Sequence, residues 1–150
     1  QSTRRAAQAP PSRQMLLIMP IDIGFSHDAV SAIFSNGKPI LELLKDLCEE
    51  RLSIRQLPVM KVAIDRGRFF ALTNRHLCLF RLCQILGLLG SDTPIKVELV
   101  PDLPRNFRYT NCSEGDWVRV RQDGRICGKT SEDTNFGLTE FRDFWPSNVG

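Results

Sequence analysis

Four consecutive residues, Thr73-Asn74-Arg75-His76, stand where an apolar run ends and a helical pattern begins. Such a junction can hold an anion. The first turn of a helix presents N–H groups without intrahelical partners and the positive end of the backbone dipole. Arg75 adds a planar donor fork suited to phosphate, and a strand leading into a helix is an arrangement that binds anions. Thr73 is the expected N-cap. Asn74 and His76 extend the polar set, and Lys38, beside Gly37, is a further cation for a phosphate or nucleotide. A cation in a first helical turn opposes the dipole and calls for an anion. A carboxylate such as Asp22 or Asp28 meets that need as well as a ligand does. His76 and Asp22 are the candidates for catalysis, His76 as a general base. His27 and Asp28 are adjacent, so a helix cap is expected of them rather than a base–carboxylate pair.

Other side chains suggest contact with a partner. Arg66 and Arg68 flank a turn, and Arg119 and Arg121 alternate onto one strand face, where either pair suits RNA phosphates or an acidic protein surface. Trp145, like Trp117, suits docking against a core or partner more than stacking on bases. The five cysteines are an odd number with no C-x-x-C pair, and neither of the two histidines lies at ligand spacing from a cysteine pair, so no metal site is expected. Cys48, Cys78 and Cys83 lie inside apolar runs as small core residues, which fits a reducing intracellular compartment.

These residues need elements to position them. Met15 to Phe25 reads as one strand, and Ser26-His27-Asp28 as the cap of a helical turn reaching Phe34. Pro39 opens a helix to about Arg51 with Ile40, Leu43, Leu44 and Leu47 on one face and Glu42, Lys45, Asp46 and Glu49 mostly on the other. Leu57 to Ile64, the turn Asp65-Arg66-Gly67-Arg68 and Phe69 to Leu72 form a hairpin. Thr73 opens a second helix, apolar on most of its surface and therefore buried, which ends near Gly87 or Gly90. Ile95 to Val100 closes a β-α-β-β-α-β order. Trp117 to Arg121, with Ile126-Cys127, forms a second hairpin, and Phe136 to Trp145 an aromatic arm.

The run FFALTNRHLCLFRLCQILG resembles the strand-to-helix segment of the ParB/sulfiredoxin superfamily. There the short motif reads Gly-Glu-Arg-Arg in ParB-like proteins and Gly-Cys-His-Arg in sulfiredoxins. The stretch from Gly37 to Leu72 and the segment RNFRYTNCSEGDWVRVR are similar to a variant of that superfamily, so the resemblance covers most of the chain. It implies an α+β fold of ParB/sulfiredoxin-like type, with a C-terminal β-hairpin and arm, and a nucleotide phosphate at Thr73 to His76, from ATP or CTP with magnesium. Asn74 stands where the sulfiredoxin nucleophile is a cysteine, Thr73 where the motif has glycine, and His76 where it has arginine. Sulfiredoxin chemistry is not expected, and the chain after Val100 has no room for the DNA module of a ParB clamp.

The organisation expected is a basic polar tail over residues 1–14, a domain over 15–104, and a hairpin and arm over 105–150 that packs on the same domain. A hydrophobic share of 42% and a charged share of 25% exclude a disordered chain, and no apolar run reaches the length of a membrane span. A net charge of +3 permits nucleic-acid contact without requiring it. The acid-free, Arg- and Ser-bearing start reads as a flexible or surface-hugging extension, or else as what remains of an organelle-targeting region such as a mitochondrial one. The first functional expectation is a non-catalytic module acting as a structural or interaction subunit of a larger, mitochondrial assembly with protein partners. The alternatives are a nucleotide-binding phosphotransferase or nucleotidase using Thr73 to His76, and a nucleic-acid-binding module.

Overall fold

The apolar run at the start of the chain is broken by Pro20. Pro20–Asp22 forms a 3-10 turn, and the run becomes two strands, β1 (Gln14–Ile18) and β2 (Ile23–Phe25), at opposite edges of one sheet. Proline cannot donate to a strand ladder, so a chain interrupted there can change partners. The single strand expected over Met15 to Phe25 is corrected accordingly. The computed structural model describes residues 14–90, 92–101, 103, 107–111, 113–121, 124–128 and 134–135. The basic tail before Gln14 and the arm from Phe136 to Trp145 lie outside the described residues.

The fold is mixed α+β. After β2 come β3 (Ala29–Val30), α1 (Ile40–Cys48), β4 (Met60–Asp65), β5 (Arg68–Ala71), α2 (Asn74–Ile85), β6 (Ile95–Leu99), β7 (Val118–Val120) and β8 (Ile126–Cys127). The larger sheet has the order β1-β6-β4-β5-β2, with β1/β6 and β4/β5 antiparallel and β4/β6 and β2/β5 parallel. The smaller sheet has the order β3-β7-β8, with β3 parallel to β7. The helical turn expected after Ser26 is therefore a strand. Its pairing partner lies about ninety residues further on, where no local signal could show it.

The hairpin turn follows from its residues. Arg66 and Gly67 both take positive φ, 51° and 77°, so that Asp65 pairs with Arg68; this is the two-residue loop that matches strand twist. Pro39 sits at the N-cap of α1, one position before the first helical residue expected for it. Ile40, Leu44 and Leu47 are buried as the 3.6-residue period requires. Asp46, expected on the polar face, is also buried, held by Lys38 Nζ at 2.6 Å and by Arg51 through Nε at 3.1 Å and a terminal nitrogen at 2.7 Å.

α2 is the central element, buried from Leu77 to Cys83. It packs against α1, β2 and β8, and the Cys127 thiol donates to the Cys78 carbonyl at 3.7 Å. The helix ends where Gly87 (φ 81°) donates to Gln84 O and Leu88 to Cys83 O, which stops it in the left-handed cap that glycine favours. One buried cluster includes Ile23, Phe25, Met60 and Val62 of the larger sheet with Val30, Val118, Val120 and Cys127 of the smaller. Cys48, Cys78, Cys83 and Cys127 are all buried free thiols within it. Among the described residues no helix is long and apolar enough to cross a membrane, and no group of acids, histidines and cysteines could hold a metal ion.

Candidate functional site

The parallel strands β2 and β5 run side by side, with Phe25 opposite Ala71, and end together. Beyond them the chain diverges: β5 leads into α2, and β2 leads to β3 of the other sheet. Divergence at the carboxyl ends of neighbouring parallel strands opens a crevice. Here the first turn of α2 lies at its edge.

Asn74 ties the two departing chains together. Its side chain is 4% exposed. Its Oδ1 accepts from the backbone N–H of Ser26 (2.8 Å) and His27 (3.4 Å), and its Nδ2 donates to Ser26 Oγ (3.0 Å). Ser26 Oγ in turn donates to the Ala71 carbonyl at 2.6 Å. Asn74 is thus spent on structure, its amide bonded within the fold. Thr73 is the N-cap residue, yet its hydroxyl makes no cap bond, which leaves the first N–H groups of α2 without a side-chain cap.

A second hub, Asn111, positions His27 from the other side. Its Nδ2 donates to the carbonyls of His27 and Trp117, both at 2.8 Å, and its Oδ1 accepts from Ser113 N, Ser113 Oγ and Gly115 N. Thr110 and Asn111 also donate their backbone N–H to Ser26 O. The loop they belong to is drawn close to β2, with Phe25 N–H donating to Gly115 O at 3.0 Å. Nothing in the sequence marks Asn111 except its place in a polar loop, 84 residues from His27.

The crevice is a cavity of about 430 Å3. Thr73, Asn74, Arg75 and His76 line it from α2, His27 and Ser31 from the β2–β3 side, Phe34 and Ser35 from the following loop, and Arg121 from the end of β7. Among the described residues none that lines it is acidic. The Arg75 guanidinium donates to the Ile33 carbonyl (2.5 Å) and lies over the Phe34 ring at 5.5 Å. His76 rests against the same ring, with centroids 5.2 Å apart, and its Nδ1 is buried with no hydrogen-bond partner among the described residues. Burial pushes the His76 imidazole below its ordinary pKa, and Arg75 adds to the effect. His27 stacks on Phe107 at 5.3 Å, and its pKa is lowered first by burial and then by Arg121. A neighbouring hollow of about 500 Å3 shares His27 and Arg121 and adds Asp28, Phe107 and Arg108.

The structure thus brings together Thr73, Asn74, Arg75 and His76 and adds Arg121, which the sequence grouped with a partner-binding strand face. Lys38 is elsewhere: its ammonium is paired with Asp46, whose hydrogen bond raises the lysine pKa. Asp22 is exposed at the end of its 3-10 turn and does not line the cavity. Arg66 pairs with Asp65 at 2.8 Å, while Arg68 covers Phe70 at 5.2 Å and donates to Glu114 O at 2.7 Å. Arg119 is exposed on β7, and Trp145 lies outside the described residues. Compared with protein families, with curated proteins and with solved structures, the chain gives no match.

Chemically, the described residues of the cavity offer two guanidiniums, two imidazoles, three hydroxyls and a helix N-terminus, with no opposing carboxylate among them. That set stabilises negative charge. Asn74, at the helix start, is hydrogen-bonded into the fold through its amide.

Proposed function

We propose that the chain is a binding module of ParB/sulfiredoxin-like type that holds a phosphate-bearing anion at the head of α2 and acts as an interaction subunit rather than as an enzyme. The observation that carries this reading is the cavity in which Arg75, Arg121, His27 and His76 converge with no acidic residue among the described residues that line it. The order of strands and helices from β2 to β6, and the strand-to-helix junction at Thr73, support the superfamily comparison. The interior bonding of Asn74 supports binding over phosphoryl transfer. Lys38 and Asp22, kept away from the cavity, support it too. Membership of a larger, mitochondrial assembly is part of the proposal and rests on the composition of the first fourteen residues.

Calorimetry tests the site. Pyrophosphate, ADP, ATP and CTP, each with and without magnesium, are titrated into the wild type and into Arg75→Ala. Charge-assisted bonds contribute roughly 1.5–3 kcal/mol each, so the variant is expected to bind at least tenfold more weakly. Absence of binding by all four up to about millimolar concentration, the weakest range that calorimetry reads comfortably, refutes the site. Copurification from the native source tests the assembly, and a lone monomer there refutes that part.

A further inference from the structure

We infer that the α2 cavity takes up protons together with its anion: His27 and His76 are neutral in the ligand-free site and become imidazolium when a tetrahedral dianion settles between Arg75 and Arg121. The inference rests on the anion-site reading above and adds its regulation by pH.

The geometry supplies the argument. These are the two histidines of the chain, and both line one cavity. His27 comes from the β2–β3 connection and His76 from the first turn of α2, so an anion in the cavity shares it with imidazoles from two separate elements and with both arginines. A neutral imidazole offers one N–H and one lone pair. A lone pair turned toward an anion repels it, whereas a second N–H bonds it. His76 Nδ1 is buried and has no partner among the described residues, so a turn of the ring toward the anion breaks no bond at that atom. The His27 backbone is held from two sides, its N–H donating to Asn74 and its carbonyl accepting from Asn111, and its ring stacks on Phe107.

The charged neighbours set the sign. His27 faces Arg121, and across the adjoining hollow lie Asp28 and Arg108. His76 faces Arg75 and the uncharged ring of Phe34. Asp28 borders the adjoining hollow and not the cavity itself. Without an anion, burial and the arginines both oppose a positive imidazole, and both pKa values lie below the usual 6.5. A dianion reverses the local sign and favours the charged form. Each imidazole then gains one proton from solvent, with no other bond made or broken. Between the ligand-free and the loaded pKa values, the anion binds more tightly as pH falls. One unit of pKa change at one imidazole corresponds to tenfold in affinity.

Sulfate is the probe, because it stays a dianion across the window in which histidine titrates, with inorganic phosphate run in parallel. Calorimetry of the full chain near pH 7, in two buffers of different ionisation heat, counts the protons exchanged. Proton NMR of the imidazole C–H signals gives both pKa values with and without sulfate, and needs no variant. The expected result is net proton uptake, a rise of both pKa values on saturation, and about tenfold tighter binding at pH 6 than at pH 7.5. His27→Gln/His76→Gln, with fold checked by circular dichroism, is expected to bind sulfate weakly and with no pH dependence. Sulfate binding with no proton uptake and unchanged imidazole pKa values overturns the inference while leaving the anion site standing. No binding of sulfate or phosphate at any pH overturns both.

Discussion

Replacing Asn74 by alanine removes the joint on which the site is hung. The side chain accepts two backbone N–H bonds and donates one to Ser26 Oγ, all at a residue 4% exposed. Ser26 Oγ keeps its bond to Ala71 O, so the network is not lost whole. The Ser26 N–H does lose its acceptor, and an unsatisfied buried donor costs about 1–3 kcal/mol. The longer bond from His27 and the bond to Ser26 Oγ add less. The sum is about 2–3 kcal/mol, or roughly 10 °C in Tm at the entropy of a domain this size. Urea unfolding followed by circular dichroism measures it. Asn74→Asp separates the structural role from the electrostatic one. Its carboxylate still accepts from Ser26 and His27 but loses the donor to Ser26 Oγ, which must turn its hydroxyl from Ala71 O to meet it, and a negative charge in the first turn of a helix is favourable by about 0.3–1 kcal/mol. It is expected to retain more stability than Asn74→Ala while weakening pyrophosphate binding at least tenfold, because it puts an anion in the anion site. If Asn74→Ala unfolds within about 0.5 kcal/mol of the wild type, the size of an ordinary surface substitution, the joint is not what holds this corner.

Three further substitutions probe the frame. Gly115→Ala is expected to cost about 2–3 kcal/mol in the same unfolding assay, because Gly115 has a φ of 94° and its Cβ would lie 3.0 Å from Gly24 Cα and 3.1 Å from Phe70 Cε1. Arg81 is 1% exposed, donates to Ile23 O and Asp116 O, lies over Phe25 at 4.4 Å, and has a pKa lowered by burial to about 10. Arg81→Met keeps much of the volume and leaves the Ile23 carbonyl without this donor, so a loss of about 2–3 kcal/mol is expected; unchanged stability would show that packing alone matters there. Hydrogen bonds from Lys38 and then Arg51 hold the Asp46 carboxyl below its usual pKa. The folded pKa is the lower one, so the stabilisation is complete above the unfolded value of about 4 and is lost as pH falls through the folded value. Asp46→Asn should therefore flatten the acid limb of the stability–pH curve, and a limb identical to wild type would contradict the assignment.

Local grammar explains which parts of this fold are legible in the sequence. The spacing of Ile40, Leu44 and Leu47 marks the buried face of α1, and Asp65 to Arg68 marks the turn, because both depend on neighbours in the chain. The apolar residues from Met15 to Phe25 carry no sign that Ile18 and Ile23 belong to opposite edges of the sheet. Partner choice is non-local, and only Pro20 hints at the break. Asp46 looks like a surface residue until Lys38 and Arg51 close over it. The site divides in the same way. Thr73 to His76 can be read as a helix start, and Arg75 as its cation. Arg121 reaches the cavity through the parallel pairing of β3 with β7, and His27 is placed by Asn74 and Asn111 from far along the chain. Nothing within a short window of sequence encodes either placement.

The most direct test of the anion site is amide NMR of the wild-type chain titrated with pyrophosphate. Saturable shifts are predicted at Asn74, Arg75 and His76, at Ser31 and at Arg121, and they should fade as salt is added, since exposed charge contacts are screened. No saturable shift, or shifts centred instead on Arg66, Arg68 and Arg119, would contradict the account.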